Sequence, residues 1–143
     1  MTDAIESALD ALDDILERMD VDAHAELKDG EDATVLEIQG SEAEELANGE
    51  ILDALQHLVN RIASRDVVGD YQPVAVDAGG WRARRQSELS DLARDLADEA
   101  RQSGRPTTAP KLSPYERRLV HLALEEEEGI FTRSEGEGRQ RRL

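Results

Sequence analysis

Apolar positions recur at helical spacing in three long stretches of the chain. Ile5, Ala8, Leu9, Leu12, Ile15, Leu16 and Met19 fall three and four apart, which predicts an amphipathic helix with Thr2 or Asp3 as its N-cap. Ile51, Leu52, Leu55, Leu58, Val59 and Ile62 predict a second helix, and Leu89, Leu92, Leu96 and Ala100 form the inward stripe of a third, from about Trp81 to Ser103, closed by Gly104. Between the first two helices the period changes to two: Val21, Ala23, Ala25 and Leu27 alternate with polar residues, Asp29-Gly30 marks a turn, and Ala33 to Ile38 returns as the second strand of a hairpin. Ser41 to Leu46 reads as a short acidic helical turn. Val74 and Val76 place a third strand in Tyr71 to Asp77, after a turn at Val68-Gly69-Asp70.

Beyond Gly104 the pattern shortens. Arg105 to Leu112 is an extended piece interrupted by Pro106 and Pro110, and Ser113-Pro114-Tyr115-Glu116 has the signature of a capping box with proline at the first helical position. A fourth helix therefore starts at Pro114 and ends near Glu125 to Glu128, before Gly129. Ile130 to Ser134 reads as a strand, Ser134 to Gly138 as a turn, and Arg139 to Leu143 as a short last strand.

Charge divides the chain more sharply than hydropathy does. The 143 residues carry a formal net charge of -16. Residues 1–80 hold four basic side chains against 21 acidic ones, a net of -17, whereas residues 81–143 hold 13 against 12, a net of +1. Such asymmetry directs attention to the second half as the one that tolerates a polyanion. Only two of the basic residues, Lys28 and Lys111, are lysine, a bias that fits either a GC-rich genome or a salt-adapted cytoplasm.

Several classes of chemistry find no support. Cysteine is absent, so disulfides, thiolate metal sites and thiol nucleophiles are excluded. His24, His57 and His121 stand in separate elements without metal-ligand spacing, and Ser134 to Gly138 lacks the lysine and the following helix of a phosphate-cradling loop. The four glutamates at 125–128 fan around a helix axis and make no shared acid–base pair. No apolar run approaches the length of a membrane span, and the N-terminus is acidic where a secretory leader would be basic. The expectation is a cytoplasmic, non-enzymatic protein without cofactor or metal.

The remaining candidate is PYERRLVH, residues 114–121. Arg117 and His121 lie four apart and share one helix face, while Arg118 points about 100° away. A guanidinium beside an imidazole suits a phosphate oxygen; the same spacing also fits Arg117 paired with Glu116 or Glu125 on a solvated helix and His121 capping a small core.

The segments DAGGWRARRQSELSDLARDLADEA, LSPYERRLVHLAL and GIFTRSEGEGRQRRL resemble the C-terminal half of the Jag family, the SpoIIIJ-associated proteins. That half is a single-stranded nucleic-acid-binding domain named for an arginine followed, after three residues, by histidine, here Arg117 and His121. NGEILDALQHLVNRI resembles the family's KH segment, and the order helix-strand-strand-helix-helix-strand is that of a type II KH domain. The resemblance covers about residues 1–143 and lacks the additional N-terminal domain of long members. It implies an α/β (α+β) chain with a KH-like domain at 1–79 and an R-three-H domain at 80–143.

It also implies a function. Arg117 and His121 would form a phosphate-binding surface, extended by Arg118, Arg133, Arg139, Arg141 and Arg142. The partner would be single-stranded RNA, or single-stranded DNA, and the role that of a bacterial RNA chaperone or regulator linked to cell elongation and envelope synthesis, as a homodimer or with a second small KH protein. In the KH loop, Leu46, Ala47, Asn48 and Gly49 align with the family's GxxG, so only the second glycine is present; Leu46 is expected to obstruct RNA, with Glu42, Glu44, Glu45 and Glu50 adding like charge. A KH half without RNA binding would serve as a scaffold, interaction or dimerisation surface. Trp81, at a position where the family often has tyrosine, is expected to pack between domains beside exposed Arg82, Arg84 and Arg85.

Overall fold

A computed structural model describes residues 3–30, 33–65, 67–136 and 143, which divide into two compact units, Met1–Arg82 and Ala83–Leu143. The architecture is mixed α/β, with four α-helices and one three-stranded sheet among the described residues.

In the first unit, α1 (Asp3–Arg18) precedes β1 (His24–Asp29), β2 (Thr34–Gln39), a 3-10 turn (Ala43–Leu46), α2 (Gly49–Ser64) and β3 (Ala75–Ala78). Asp3 is already helical, so the alternative cap, Thr2, lies outside the described residues. The hairpin pairs β1 with β2 antiparallel, Leu27 opposite Leu36 and Ala25 opposite Ile38. On the other side β2 pairs in parallel with β3, Leu36 beside Val76 and Ile38 beside Ala78. The period-two alternation therefore collects Ala25, Leu36, Ile38, Val76 and Ala78 on one face, where they join Leu12 and Leu16 of α1 and Leu52, Leu55 and Val59 of α2 in one buried core. Each fully buried leucine or valine there contributes roughly 1.5–3 kcal/mol.

The opposite face is acidic. Glu26, Glu37 and Asp77 stand side by side across the three strands. Glu37 is buried (6% exposed), and its carboxylate is balanced by the Gly80 amide at 3.3 Å and Lys28 Nζ at 4.0 Å. Asp77 turns to the start of the next helix and accepts from the amides of Ala78 and Arg82, at 2.8 and 3.3 Å.

The third strand begins later than the sequence pattern predicts, at Ala75 instead of Tyr71. Asn60 is the reason. Its side-chain oxygen accepts from the Val74 amide and the Tyr71 hydroxyl, and its nitrogen donates to the Val74 carbonyl, so the backbone before Ala75 bonds to a helix side chain instead of a strand. Gln56, one turn earlier on α2, accepts from the Val76 amide at 3.0 Å on the same edge.

In the second unit, α3 (Trp81–Ser103, its first two residues in the first unit) is followed by the extended piece, then by α4 (Pro114–Glu125). The inward stripe of α3 is rotated from the expected one: Leu89, Ala93 and Ala97 are buried, and Leu92 and Leu96 are only partly so. Ala109 and Leu112 of the extended piece, with Val120 and Leu124 of α4, complete a core in which three of seven buried residues are alanine. So small a core leaves the unit dependent on polar ties.

Two such ties join the helices. Arg85 near the start of α3 binds Glu116 in the first turn of α4, and Arg101 in the last turn of α3 binds Glu127 just beyond α4, at 2.9 Å, and the Glu128 carbonyl at 3.0 Å. Corresponding ends meet, so the two helices run the same way and the short chain between them must be extended to return to the starting end. The glutamates at 125–128 are thus more than a solvated helix end: Glu127 holds Arg101, and Glu125 faces His121.

The predicted strand at Ile130 to Ser134 does not form; only Glu135 makes an isolated bridge. Thr132 directs its side chain to a helix residue instead, and Phe131 points into solvent. The predicted last strand, Arg139 to Leu143, lies outside the described residues except for Leu143, whose carbonyl accepts from the Ala109 amide at 2.9 Å.

Candidate nucleic-acid interface

The helix carrying PYERRLVH begins as its sequence dictates. Ser113 Oγ accepts from the Glu116 amide at 3.1 Å, the Glu116 carboxylate accepts from the Ser113 amide at 3.2 Å, and Pro114 occupies the first turn, where no amide partner is needed. Glu116 has a second duty, because its other carboxylate oxygen accepts from Arg85 Nε. Burial alone would raise the Glu116 carboxyl, but the hydrogen bonds from Arg85 and Ser113 outweigh it and hold the group below the usual range. The bond to Glu116, against some desolvation, raises Arg85 further. Glu116 is therefore committed to Arg85 and the cap rather than to Arg117.

Arg117 is half-buried on the flank of α4, and Arg118 is exposed. His121, one turn on from Arg117, is fixed at both ring nitrogens: Nδ1 meets Thr132 Oγ1, and Nε2 lies 3.1 Å from Glu125 Oε1. With the proton on Nε2 toward Glu125, Nδ1 is left to accept the Thr132 hydroxyl, so the two contacts select one orientation of the ring. Imidazole and carboxylate are both solvent-accessible, and an exposed pair of this kind holds only weakly, at about 0.2–1 kcal/mol.

His121, Leu124, Glu125, Ile130, Phe131 and Thr132 line a shallow depression of about 290 Å³. Arg133 lies beyond it, 84% exposed and 2.8 Å from Glu135. Arg139, Arg141 and Arg142 lie outside the described residues. Thr132 and Phe131 carry no signal in the sequence pattern; they join the site only because the chain folds back along α4 after Gly129.

Comparison with known proteins bears on this geometry. Residues 87–143 match the R-three-H domain family. Over 136 residues, 92% of this chain, the sequence is 30% identical to the RNA-binding protein KhpB of Clostridium symbiosum. It is 34% identical over 97 residues to the RNA-binding protein KhpB of Bacillus subtilis (strain 168). The chain is KhpB/Jag-like. It spans 61% of the length of the first relative and 46% of the second.

In this Jag-like chain the residues aligned with the KH loop behave differently from what their sequence suggests. Leu46 is turned into the core and is only 4% exposed, so its side chain does not stand on the surface as an obstacle. Asn48 is the N-cap of α2: its side-chain oxygen accepts from the amides of Glu50 and Ile51, at 2.9 and 3.3 Å, and its carbonyl accepts from Leu52. The helix N-terminus that would approach a phosphate has its first amides occupied by its own chain. Gly49 is needed for packing, since a Cβ there would stand 2.8 Å from Trp81 Cη2.

Trp81 accordingly packs against the core of the first unit. The arginines after it are anchored too. Arg82 donates to the Val76 carbonyl, Asp53 and Gln56, and Arg85 donates to Glu116 and Glu88. Both are structural ties where the sequence suggested exposed cations; Arg84 remains exposed.

Proposed function

We propose that this protein binds single-stranded RNA without catalysis, through the α4 face that carries Arg117 and His121. The observation that supports this most is an imidazole oriented by Thr132 and Glu125, one turn from Arg117, within residues that match an R-three-H domain. Both relatives bear the name RNA-binding protein. The near-neutral second half lets a polyanion approach where the first half would repel it. Arg118, Arg133 and the closing arginines Arg139, Arg141 and Arg142 extend the electrostatic track. Residues 1–79 would be a type II KH domain and residues 80–143 the R-three-H domain, acting in the cytoplasm as an RNA regulator linked to cell elongation and envelope synthesis, alone as a dimer or with a small KH protein.

Binding of a short fluorescent RNA strand, measured across a salt series, tests the assignment. Wild type is expected to bind at low salt, and Arg117→Ala to bind more weakly with a salt slope smaller by about 0.7, the increment for one phosphate contact on a single strand. His121→Ala is also expected to weaken binding. Unchanged affinity and slope in both variants would remove them from the phosphate surface. Glu125→Gln is expected to tighten binding about 1.4- to fivefold, matching the roughly 0.2–1 kcal/mol of an exposed pair that no longer competes. Equal or weaker affinity would show that phosphate does not displace Glu125.

A second reading concerns the first unit only. Its Asn48-capped helix terminus, its net charge of -17 over residues 1–80, and the exposed Leu58 and Ile62 one turn apart on α2 favour a surface for a protein partner over one for RNA.

A further inference from the structure

The chain has four aromatic residues, one Trp, two Tyr and one Phe. Tyr71 and Trp81 pack against the core of the first unit, which leaves Tyr115 and Phe131 exposed in the second. Phe131 is 95% exposed, and a lone exposed apolar residue would by itself mean little. Its placement is more informative. Phe131 stands at the rim of the depression that holds His121, with Leu124 and Ile130 as its apolar lining residues and Glu125 and Thr132 as the polar ones. Thr132, the next residue in the chain, is the one that orients the His121 imidazole, so the exposed ring is tethered one residue from the hydrogen-bond partner of a phosphate candidate.

We propose that Phe131 is a stacking platform for one base, so that the site takes a nucleotide of a single strand and not merely a phosphate. This deepens the nucleic-acid reading and rests on it. An aromatic face covers a base of any identity, because every base has a π-face, and phenylalanine adds no hydroxyl with which to read base edges. The contact is therefore tolerant of sequence. It also discriminates against duplex, whose base faces are already covered by their neighbours. The depression, about 290 Å³, is no larger than the smallest ligand sites, which run from roughly 300 to 1,000 Å³.

The test compares three probes of equal length on the full chain: a single-stranded oligoadenylate, the same ribose-phosphate backbone without bases, and the oligoadenylate annealed to its complement. Wild type is expected to bind the base-bearing strand about tenfold more tightly than either other probe, as one stacked base provides. Phe131→Ala should abolish that preference and leave affinity for the abasic strand unchanged, while Phe131→Tyr and Phe131→Trp should retain it. Because the ring is exposed, the alanine variant keeps its fold. A preference that survives in Phe131→Ala, or an equal loss on base-bearing and abasic strands, overturns the stacking role. If wild type binds base-bearing and abasic strands equally while Arg117→Ala weakens both, stacking fails and the phosphate surface stands, leaving the ring to a protein contact. If wild type binds no strand at low salt, the reading beneath the proposal fails with it.

Discussion

Leu46→Gly, which restores the first glycine of the aligned KH loop, is expected to destabilise the first unit by about 2–6 kcal/mol and to add no affinity for RNA. The magnitude follows from burial. Leu46 is packed in the same cluster as Leu36, Leu52 and Val76, and truncating such a leucine leaves a cavity that costs about 2–5 kcal/mol, with up to about 1 kcal/mol more for the freedom glycine gains in the unfolded chain. A loss of this size is comparable to the whole stability of a small domain. The absence of any gain in binding follows from Asn48, whose side chain would still occupy the Glu50 and Ile51 amides, and from the carboxylates of Glu42, Glu44, Glu45 and Glu50 nearby in sequence. Urea denaturation alongside RNA titration checks both halves of the expectation. A variant of wild-type stability, or one that binds RNA more tightly, would show that Leu46 is not what anchors the loop.

The second large effect lies at Glu116, where one carboxylate closes the cap of α4 and joins α4 to α3. Glu116→Ala is expected to cost the second unit about 2–4.5 kcal/mol, combining the lost bond to the Ser113 amide, about 0.5–1.5 kcal/mol, with a charge-assisted hydrogen bond of about 1.5–3 kcal/mol. Glu116→Gln retains the capping geometry but loses the charge opposite Arg85, so it should fall between wild type and alanine. The pH dependence has a defined sign. Hydrogen bonding holds the folded-state carboxyl below its unfolded value of about 4.3, so the unfolded chain binds the proton first as pH falls. The stabilisation is fully present above that value and is lost as pH drops through the folded one. Acid unfolding followed by circular dichroism should therefore show a shallower loss of stability below about pH 4.3 in Glu116→Gln than in wild type. Parallel acid profiles would contradict the role given to the Arg85–Glu116 pair.

How far these features could be read in the sequence depends on what holds each of them. The helices and the hairpin were legible because periodicity and local caps fix them: Ser113, Pro114 and Glu116 predict the start of α4, and Gly104 closes α3 with a left-handed turn. Boundaries set by contacts distant in sequence were not. Asn60 delays β3 from fourteen residues upstream of Val74, and nothing in the alternation of Val74 and Val76 announces it. Ile130 to Ser134 has strand-like composition, yet Thr132 bonds His121. The direction of a side chain at a loop is equally hidden: Leu46 reads as a surface obstacle from its alignment, and the 3-10 turn rotates it into the core.

Within the candidate site the same division holds. The shared face of Arg117 and His121 follows from four-residue spacing alone. The competition of Glu125 for His121 follows from the same argument, being also four residues on, although the sequence pattern equally offers that glutamate to Arg117 or to solvent. Thr132 and Phe131 required the fold, since eleven residues and a chain reversal separate Thr132 from the histidine that it orients.

The central claim is that RNA is held on the α4 face of the second unit and not at the aligned KH loop of the first. Amide and imidazole resonances of the isotopically labelled full chain, followed while a short single-stranded RNA is added at low salt, test it most directly. The account predicts progressive shifts at Arg117, Arg118, His121, Phe131, Thr132 and Arg133, with the amides of Asn48 to Ile51 unmoved. Shifts concentrated at Asn48 to Ile51 while α4 stays silent would contradict it.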